Sequence, residues 1–374
     1  MDKGENSTRK RKKAKRKAEK NQTVVFTGIL LLVIILAGGF LTFKLFGHAK
    51  GNNTQETGKV EENKVEEVEI KEKTVEIYSG TDRPIAVMID NHSGAWPQAG
   101  LQQAYMIYEI IVEGTETRLM ALFKGIDTEK IGPVRSARHY FLDYVLEHDA
   151  IYAHFGQSPQ AKKDLTKLGI DNINGTAEDG TTFWRINSKN APHNAMTSTK
   201  KILESAKNKK YPIKESKGSV LDYTVDEISL ENGIEIQSVL IPHTNTQKVK
   251  YIYNNENKVF ERHARNIAQK DLETGDTLTV KNIIISFVDN YSIAGDDKGR
   301  QGIKNIGTFD GYYITNGRAI KIKCIKNSRG EQTKYQDLDG NEIKVNDGNT
   351  FINICPPDAK VVFEEVQTTE NTNI

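Results

Sequence analysis

Ile151-Tyr152-Ala153-His154-Phe155-Gly156-Gln157-Ser158-Pro159 leads straight into a helical stretch over residues 160–168, which Gly169 stops. The apolar run has the makings of a strand. Ser158 can cap a helix, and Pro159 suits its first position, where no N–H is needed. Strand, glycine turn and capped helix in succession place a polar loop at a strand's carboxyl end, where doubly wound α/β folds build their sites. A single glycine is no nucleotide fingerprint, so no cofactor is implied.

Working outward, Arg83-Pro-Ile-Ala-Val-Met-Ile-Asp90 is a short buried strand ending in the polar loop Asp90-Asn91-His92. Residues 104–113 and 117–123 flank Gly114 as two strands joined by a short turn. If 104–113 is extended, Tyr105, Ile107, Glu109, Ile111 and Glu113 share one face. At ~3.3 Å per residue the two acids lie roughly 13 Å apart, wider than the roughly 5–9.5 Å of a glycosidase carboxylate pair. Glu113 faces Arg118 across the turn instead.

Ile131-Gly-Pro-Val-Arg-Ser-Ala-Arg-His-Tyr140 lies between these strands and the 151–159 stretch. Ala137, Tyr140, Phe141, Tyr144, Val145 and His148 form one helical stripe, with Ser136 as a possible cap. That puts Arg135 and Arg138 near a helix start, where a cation opposes the dipole by roughly 0.3–1 kcal/mol. A negative partner is expected, either a ligand anion or Asp90, Glu109 and Glu113. Farther on, Phe183-Trp-Arg185 and Ala191-Pro-His-Asn194 lie in loops before a helix at about 199–207, and residues 211–218 read as a connector.

From residue 219 the pattern turns to β: 238–241, 248–253, 258–262, 277–288, 311–315 and 351–354 alternate or are β-branched, with Asn-Gly and Asp-Gly turns between them. The fold expected is an α/β domain (80–217) followed by a β-rich, mostly antiparallel domain (218–364).

The N-terminal region gives the address. Residues 1–22 hold ten Lys/Arg against three acids, a net +7, so with a chain total of +2 the remainder carries −5. The uncharged run at 24–43 is long enough, at about 20 residues, to cross a bilayer. It lacks the short apolar core and A-x-A-like site of a cleaved signal peptide, and no cysteine stands beside it for lipidation. A transmembrane signal-anchor at 23–46 is expected, with the basic tail cytoplasmic and the rest outside the cell membrane. A polar linker at 47–79 and a disordered tail at 365–374 complete the plan. The acidic body argues against nucleic acid. Hydrophobic content of 37% fits sizeable unpacked segments. Of the two cysteines, Cys324 and Cys355, neither has metal-binding or redox spacing, and either a disulfide or two core thiols is compatible with them.

Several separated motifs, in order, carry a family resemblance. Arg83-Pro-Ile-Ala-Val-Met-Ile-Asp-Asn-His92, residues 109–118, Gly132-Pro-Val-Arg-Ser-Ala-Arg138, His154-Phe-Gly-Gln-Ser158 and Ala191-Pro-His-Asn194 resemble the YerB-like envelope lipoprotein family. Arg262, Asp271-Leu-Glu-Thr-Gly275, Asn282, Gly311-Tyr-Tyr-Ile-Thr-Asn-Gly317 and Lys334-Tyr-Gln-Asp-Leu-Asp-Gly340 resemble its second domain. The resemblance spans about residues 81–356. It implies an exported protein, mostly of Gram-positive bacteria, with two domains and no named reaction. The apolar anchor here departs from the lipidated cysteine of members like YerB.

Two functional classes follow. In the first, Arg118, Arg135, Arg138 and Arg185, with His154 and Asn194, bind an anionic wall polymer, peptidoglycan or an envelope protein. In the second, Asp90, His92, Glu113 or His193 supply acid–base chemistry on an envelope glycan or peptide. Each feature also has a structural explanation. The arginines can neutralise Glu109, Glu113 and Asp90; Ser136 and Ser158 can be helix caps; Trp96, Trp184, Tyr105 and Tyr108 can be core; and Arg262 can pair with Asp271. The histidines have no metal-ligand spacing, so no metal is expected.

Overall fold

Every residue of β1 (Ile85–Asp90), β2 (Met106–Ile111) and β3 (Thr117–Phe123) is buried. That is the mark of strands covered on both faces. In the computed structural model, which describes residues 73–366, they lie at the middle of a sixteen-stranded sheet. Its α/β half adds β4 (Ile151–His154) and β5 (Asn172–Asn174). Besides three strands of two or three residues (Ile267–Ala268, Thr279–Val280 and Lys334–Gln336), its β-rich half adds β6 (Ile234–Pro242), β7 (Lys248–Asn254), β8 (Val259–Ala264), β9 (Asn282–Phe287), β10 (Gly307–Thr315), β11 (Arg318–Lys326), β12 (Thr350–Cys355) and β13 (Val362–Glu365). From the two-residue edge strand Ile267–Ala268, the main path runs β8-β7-β6-β11-β10-β9-β12-β2-β3-β1-β4-β5.

The β-rich half is mostly antiparallel, as expected, and β12 is the exception that joins the halves. It sits between β9 and β2 and runs parallel to both, with Ile352 opposite Ile284 on one side and Tyr108 on the other. Its six residues are all buried. Alternate side chains of the sheet feed two core layers. Ile85, Val87 and Ile89 join one, with Phe183 and Ile202, while Ala86 and Met88 join the other, with Phe141 and Leu165. Helices α1 (Phe141–Glu147) and α2 (Pro159–Lys167) cover the second face, and α3 (Thr199–Asn208) the first.

Ser158 caps α2 by accepting from the Ala161 N–H, and Pro159 takes the first turn, as the sequence predicts. The helix expected around Ala137 does not start there. Residues 131–137 are extended, because their backbone donors are taken by neighbouring segments: Val134 by Ala195, Arg135 by Met88 and Ala137 by Gly156. The helix begins only at Phe141, and Ser136 Oγ donates to the Phe155 carbonyl instead of capping. The dipole therefore plays no part in what Arg135 and Arg138 need.

Glu76 and Ile77, at the end of the stretch expected as linker, donate their N–H groups to the Asp347 carboxylate. Among the described residues no helix is long and apolar enough to cross a membrane. The basic tail, the apolar run at 24–43, linker residues 47–72 and the tail from 367 lie outside the described residues. Cys324 and Cys355 are buried free thiols.

Candidate functional site

β1 is antiparallel to β3 and β3 to β2, so β1 and β2 point the same way. With β4, β5, β9 and β12 parallel to one or the other, six strands send their carboxyl ends to one edge. Open α/β sheets place ligands at that edge. Here it carries the Asp90-Asn91-His92 loop after β1, the turn at Glu113 after β2, the loop from Phe155 to Ser158 after β4, and Pro356 after β12.

Asp90 ends β1 and is buried to 3% exposure. Its Oδ1 accepts the His92 N–H at 3.1 Å, and its Oδ2 accepts from His193 Nδ1 at 2.6 Å. Arg135 Nε stands 3.1 Å from the same Oδ2, a charge contact that lacks hydrogen-bond alignment, since Nε has no hydrogen-bond partner. The carboxylate fixes the proton of His193 on Nδ1, leaving Nε2 as the atom for chemistry or binding. Nε2 makes no hydrogen bond among the described residues, and the side chain is 19% exposed. The His92 ring stacks on His193, with centroids 4.4 Å apart and planes 11° apart. Its own Nδ1 accepts from Gly94 N–H. Gly94 packs closely beneath the pair, since a Cβ there would stand 3.0 Å from the His193 ring and press it to shift by a few tenths of an ångström.

Arg185 reaches the same edge through a two-residue ladder, with Trp184 opposite Met196 and Arg185 opposite Ala195. Its guanidinium lies over the Phe155 ring, 4.4 Å from the centroid. It donates to Asn194 Oδ1 at 2.9 Å and to Asp179 Oδ2 at 3.1 Å. Phe155 in turn donates its N–H to the Arg135 carbonyl. Arg135, Arg185, His193 and Asn194 are thus brought together, with both arginines partly open to solvent.

Arg118 and Arg138 belong to a different, closed cluster. Arg138 grips Glu113 with Nε and a terminal nitrogen, while Arg118 donates to the Ser136 carbonyl at 2.6 Å and stands 3.5 Å from Glu113. Burial opposes the charged form of Glu113, but the hydrogen bond and charge of Arg138, with Arg118 behind, hold its pKa down at about 2. Burial, with Arg138 beside it, pulls Arg118 down to about 10. Both guanidiniums are buried and occupied, so the expected Arg135/Arg138 pair is split: one side chain faces outward and the other inward. Glu113 lies in a 3-10 turn past the end of β2, and so does not share a strand face with Glu109.

His154 is fully buried, with Nδ1 on the Gly156 carbonyl and Nε2 on Asn172. Burial lowers its pKa despite those two bonds. It shapes the loop after β4 from beneath. Tyr105 and Tyr108 are core, bonded to His148, and Tyr108 also donates to Glu147. Trp96 donates to Asn91 Oδ1.

One charged pair is not legible as a pair in the sequence. Glu109 bonds Arg262 of β8 with one oxygen and accepts from Asn91 and Thr117 on the other, with His243 3.8 Å away. Arg262 is fully buried and its guanidinium lies 5.1 Å from the Phe351 ring centroid. Burial works against both charges, and each restores the other, lowering Glu109 and raising Arg262. The expected Arg262–Asp271 pair does not form; Asp271 instead accepts from the Gly100 and Glu273 N–H groups. The only available signal was an acid on an otherwise apolar strand, and its partner lies 153 residues away.

Comparison with known proteins matches this architecture. Residues 72–212 match the family model "Protein of unknown function (DUF3048) N-terminal domain", and residues 239–352 match its C-terminal counterpart. The chain is 32% identical over 282 residues to "Putative lipoprotein YerB" of Bacillus subtilis (strain 168), covering 73% of this chain and 81% of that one. The crystal structure of YerB protein from Bacillus subtilis superimposes with a TM-score of 0.68 at 31% identity, covering 78% of this chain and all of that one. The chain belongs to the DUF3048 family, in which YerB is a relative.

Proposed function

We propose that this chain is a membrane-tethered extracytoplasmic protein of a bacterial cell envelope, whose carboxyl-edge cluster binds an anionic envelope ligand. The apolar run at 24–43 and the basic tail support the tether and its orientation. The name of the relative, "Putative lipoprotein YerB", supports the address. Arg135 and Arg185 are the forks that meet the ligand's carboxylate or phosphate, with His193 Nε2 and Asn194 beside them. One observation carries this reading: Arg118 and Arg138 are buried against Glu113, while Arg135 and Arg185, each beside its own carboxylate (Asp90 and Asp179), stay partly exposed next to His193 and Asn194. A wall polymer or peptidoglycan is the ligand class favoured. The test is to incubate the full-length protein with purified wall material and follow both co-sedimentation and product release. Binding without release, reduced in Arg135→Ala and Arg185→Ala, supports the module. Undiminished binding by both variants sinks it.

The 2.6 Å Asp90–His193 bond favours a second reading, in which His193 acts as acid or base on an envelope glycan or peptide. Released product that His193→Gln abolishes while sedimentation persists would move the assignment to an enzyme.

A further inference from the structure

We infer that the same sheet edge holds a second, chemically different site: a groove for a neutral oligosaccharide at the carboxyl ends of β2, β12 and β9. The groove has a volume of about 810 Å³, inside the roughly 300–1,000 Å³ range of ligand sites. Its apolar floor includes Ile111 at the end of β2, Val112 just past it and Pro356 after β12. Its uncharged polar groups come from three separate loops, and the loop after β12 adds Asp358 and Lys360. Thr115 belongs to the β2–β3 turn, Thr244, Asn245 and Thr246 to the β6–β7 turn, and Asn290 and Gln301 to the hairpin after β9.

These groups are held ready. Thr244 Oγ donates to the Thr115 carbonyl and accepts from the Thr246 and Gln247 N–H groups. Asn290 donates to Gln301, which donates to Ser292. Gln247 anchors the β6–β7 turn on Glu116, and Arg265 bonds both Glu116 and the Asn91 carbonyl. The groove wall is therefore tied to the loop that carries Asp90, yet shares none of its charged side chains.

Hydroxyls and primary amides each donate and accept, which matches the hydroxyl and acetamido groups of a sugar. Among the described residues the charged lining side chains are Lys248, Lys360 and Asp358, so the groove offers little to a polyanion. A peptide adding to a sheet edge needs a run of unpaired backbone. The nearby edge strand β13 brings only its first residue, Val362, to the groove.

The test uses the full-length protein in detergent and titrates N-acetylglucosamine oligomers of one to four units. Affinity is expected to rise with length. The double variant Asn290→Ala/Gln301→Ala should weaken tetramer binding roughly tenfold. Thr246→Trp, at the exposed rim, should block it, while Arg135→Ala leaves it unchanged. Circular dichroism checks that each variant is folded; if the tryptophan variant is not, the double variant decides. No tetramer binding by the native protein, native affinity in the folded double variant, or preference for tetra-alanine over the sugar overturns the proposal. Because Arg135 is outside the groove, failure here and failure of the anion-binding reading are separately visible.

Discussion

Glu113 faces two guanidinium groups, and its removal leaves both buried with no carboxylate between them. Breaking such a cluster costs several kcal/mol when fully buried; Glu113 is partly open, so screening reduces this to about 1–2 kcal/mol for Glu113→Gln. The sign with pH follows from its lowered pKa. A carboxylate depressed in the fold stabilises above its unfolded value, and the benefit disappears as pH falls from about 4.5 to about 2. Urea melts of the native protein and the Glu113→Gln variant should thus differ most at neutral pH and converge towards pH 2; a constant gap would refute the assignment. Sequence spacing made Glu113 and Arg118 visible as partners, since they flank a short turn. It also gave Arg135 and Arg138 one role, because helical periodicity from Ala137 onward looked uninterrupted. The extended backbone that separates them depends on carbonyls from Met88, Ala195 and Gly156, which no local pattern reveals.

At the level of elements, β1, β2, β3, β4, α2 and α3 follow from local chemistry: apolar runs, turn glycines and serine caps. β10 shows where a single atom matters. Gly311 lies against β9, and a Cβ there would overlap the Ile285 carbonyl oxygen, which cannot move without parting the two strands. Gly311→Ala should cost roughly 2 kcal/mol or more, at the upper part of the usual overpacking range. Gly330→Ala, with open space around it, should stay within about 0.5 kcal/mol. Equal melting temperatures for the two variants would show that the β9–β10 approach is looser than described. What local patterning could not give was the placement of β12. Its apolar run is compatible with any buried strand, and its position between β9 and β2 is set by partners far apart in sequence.

Across the whole molecule, β12 and the Glu109–Arg262 pair make the two family regions interdependent. A fragment of residues 73–217 would expose the β2 edge and leave Glu109 unpaired, while one of 218–366 would expose β12 and leave Arg262 unpaired. Neither fragment should fold alone by circular dichroism, and the intact protein should melt in one transition. Arg262→Met should cost about 3–5 kcal/mol, because it leaves a buried carboxylate unpaired. The same parallel arrangement explains why the loops after β1, β4 and β5 converge. The sequence offered Asp90, His193, Arg135, Arg185 and Asn194 as separate candidates; only the sheet could bring them to one edge and exclude Arg118, Arg138 and His154 from its surface. The claim that this edge binds an anion is tested most directly by titrating purified anionic wall polymer into the full-length protein and an Arg135→Ala/Arg185→Ala variant at two salt concentrations. Binding by the native protein that weakens with salt, and that falls at least tenfold (about 1.4 kcal/mol) in the folded variant, is the expected result. Equal affinity in the two proteins, or no binding by the native one, would contradict it.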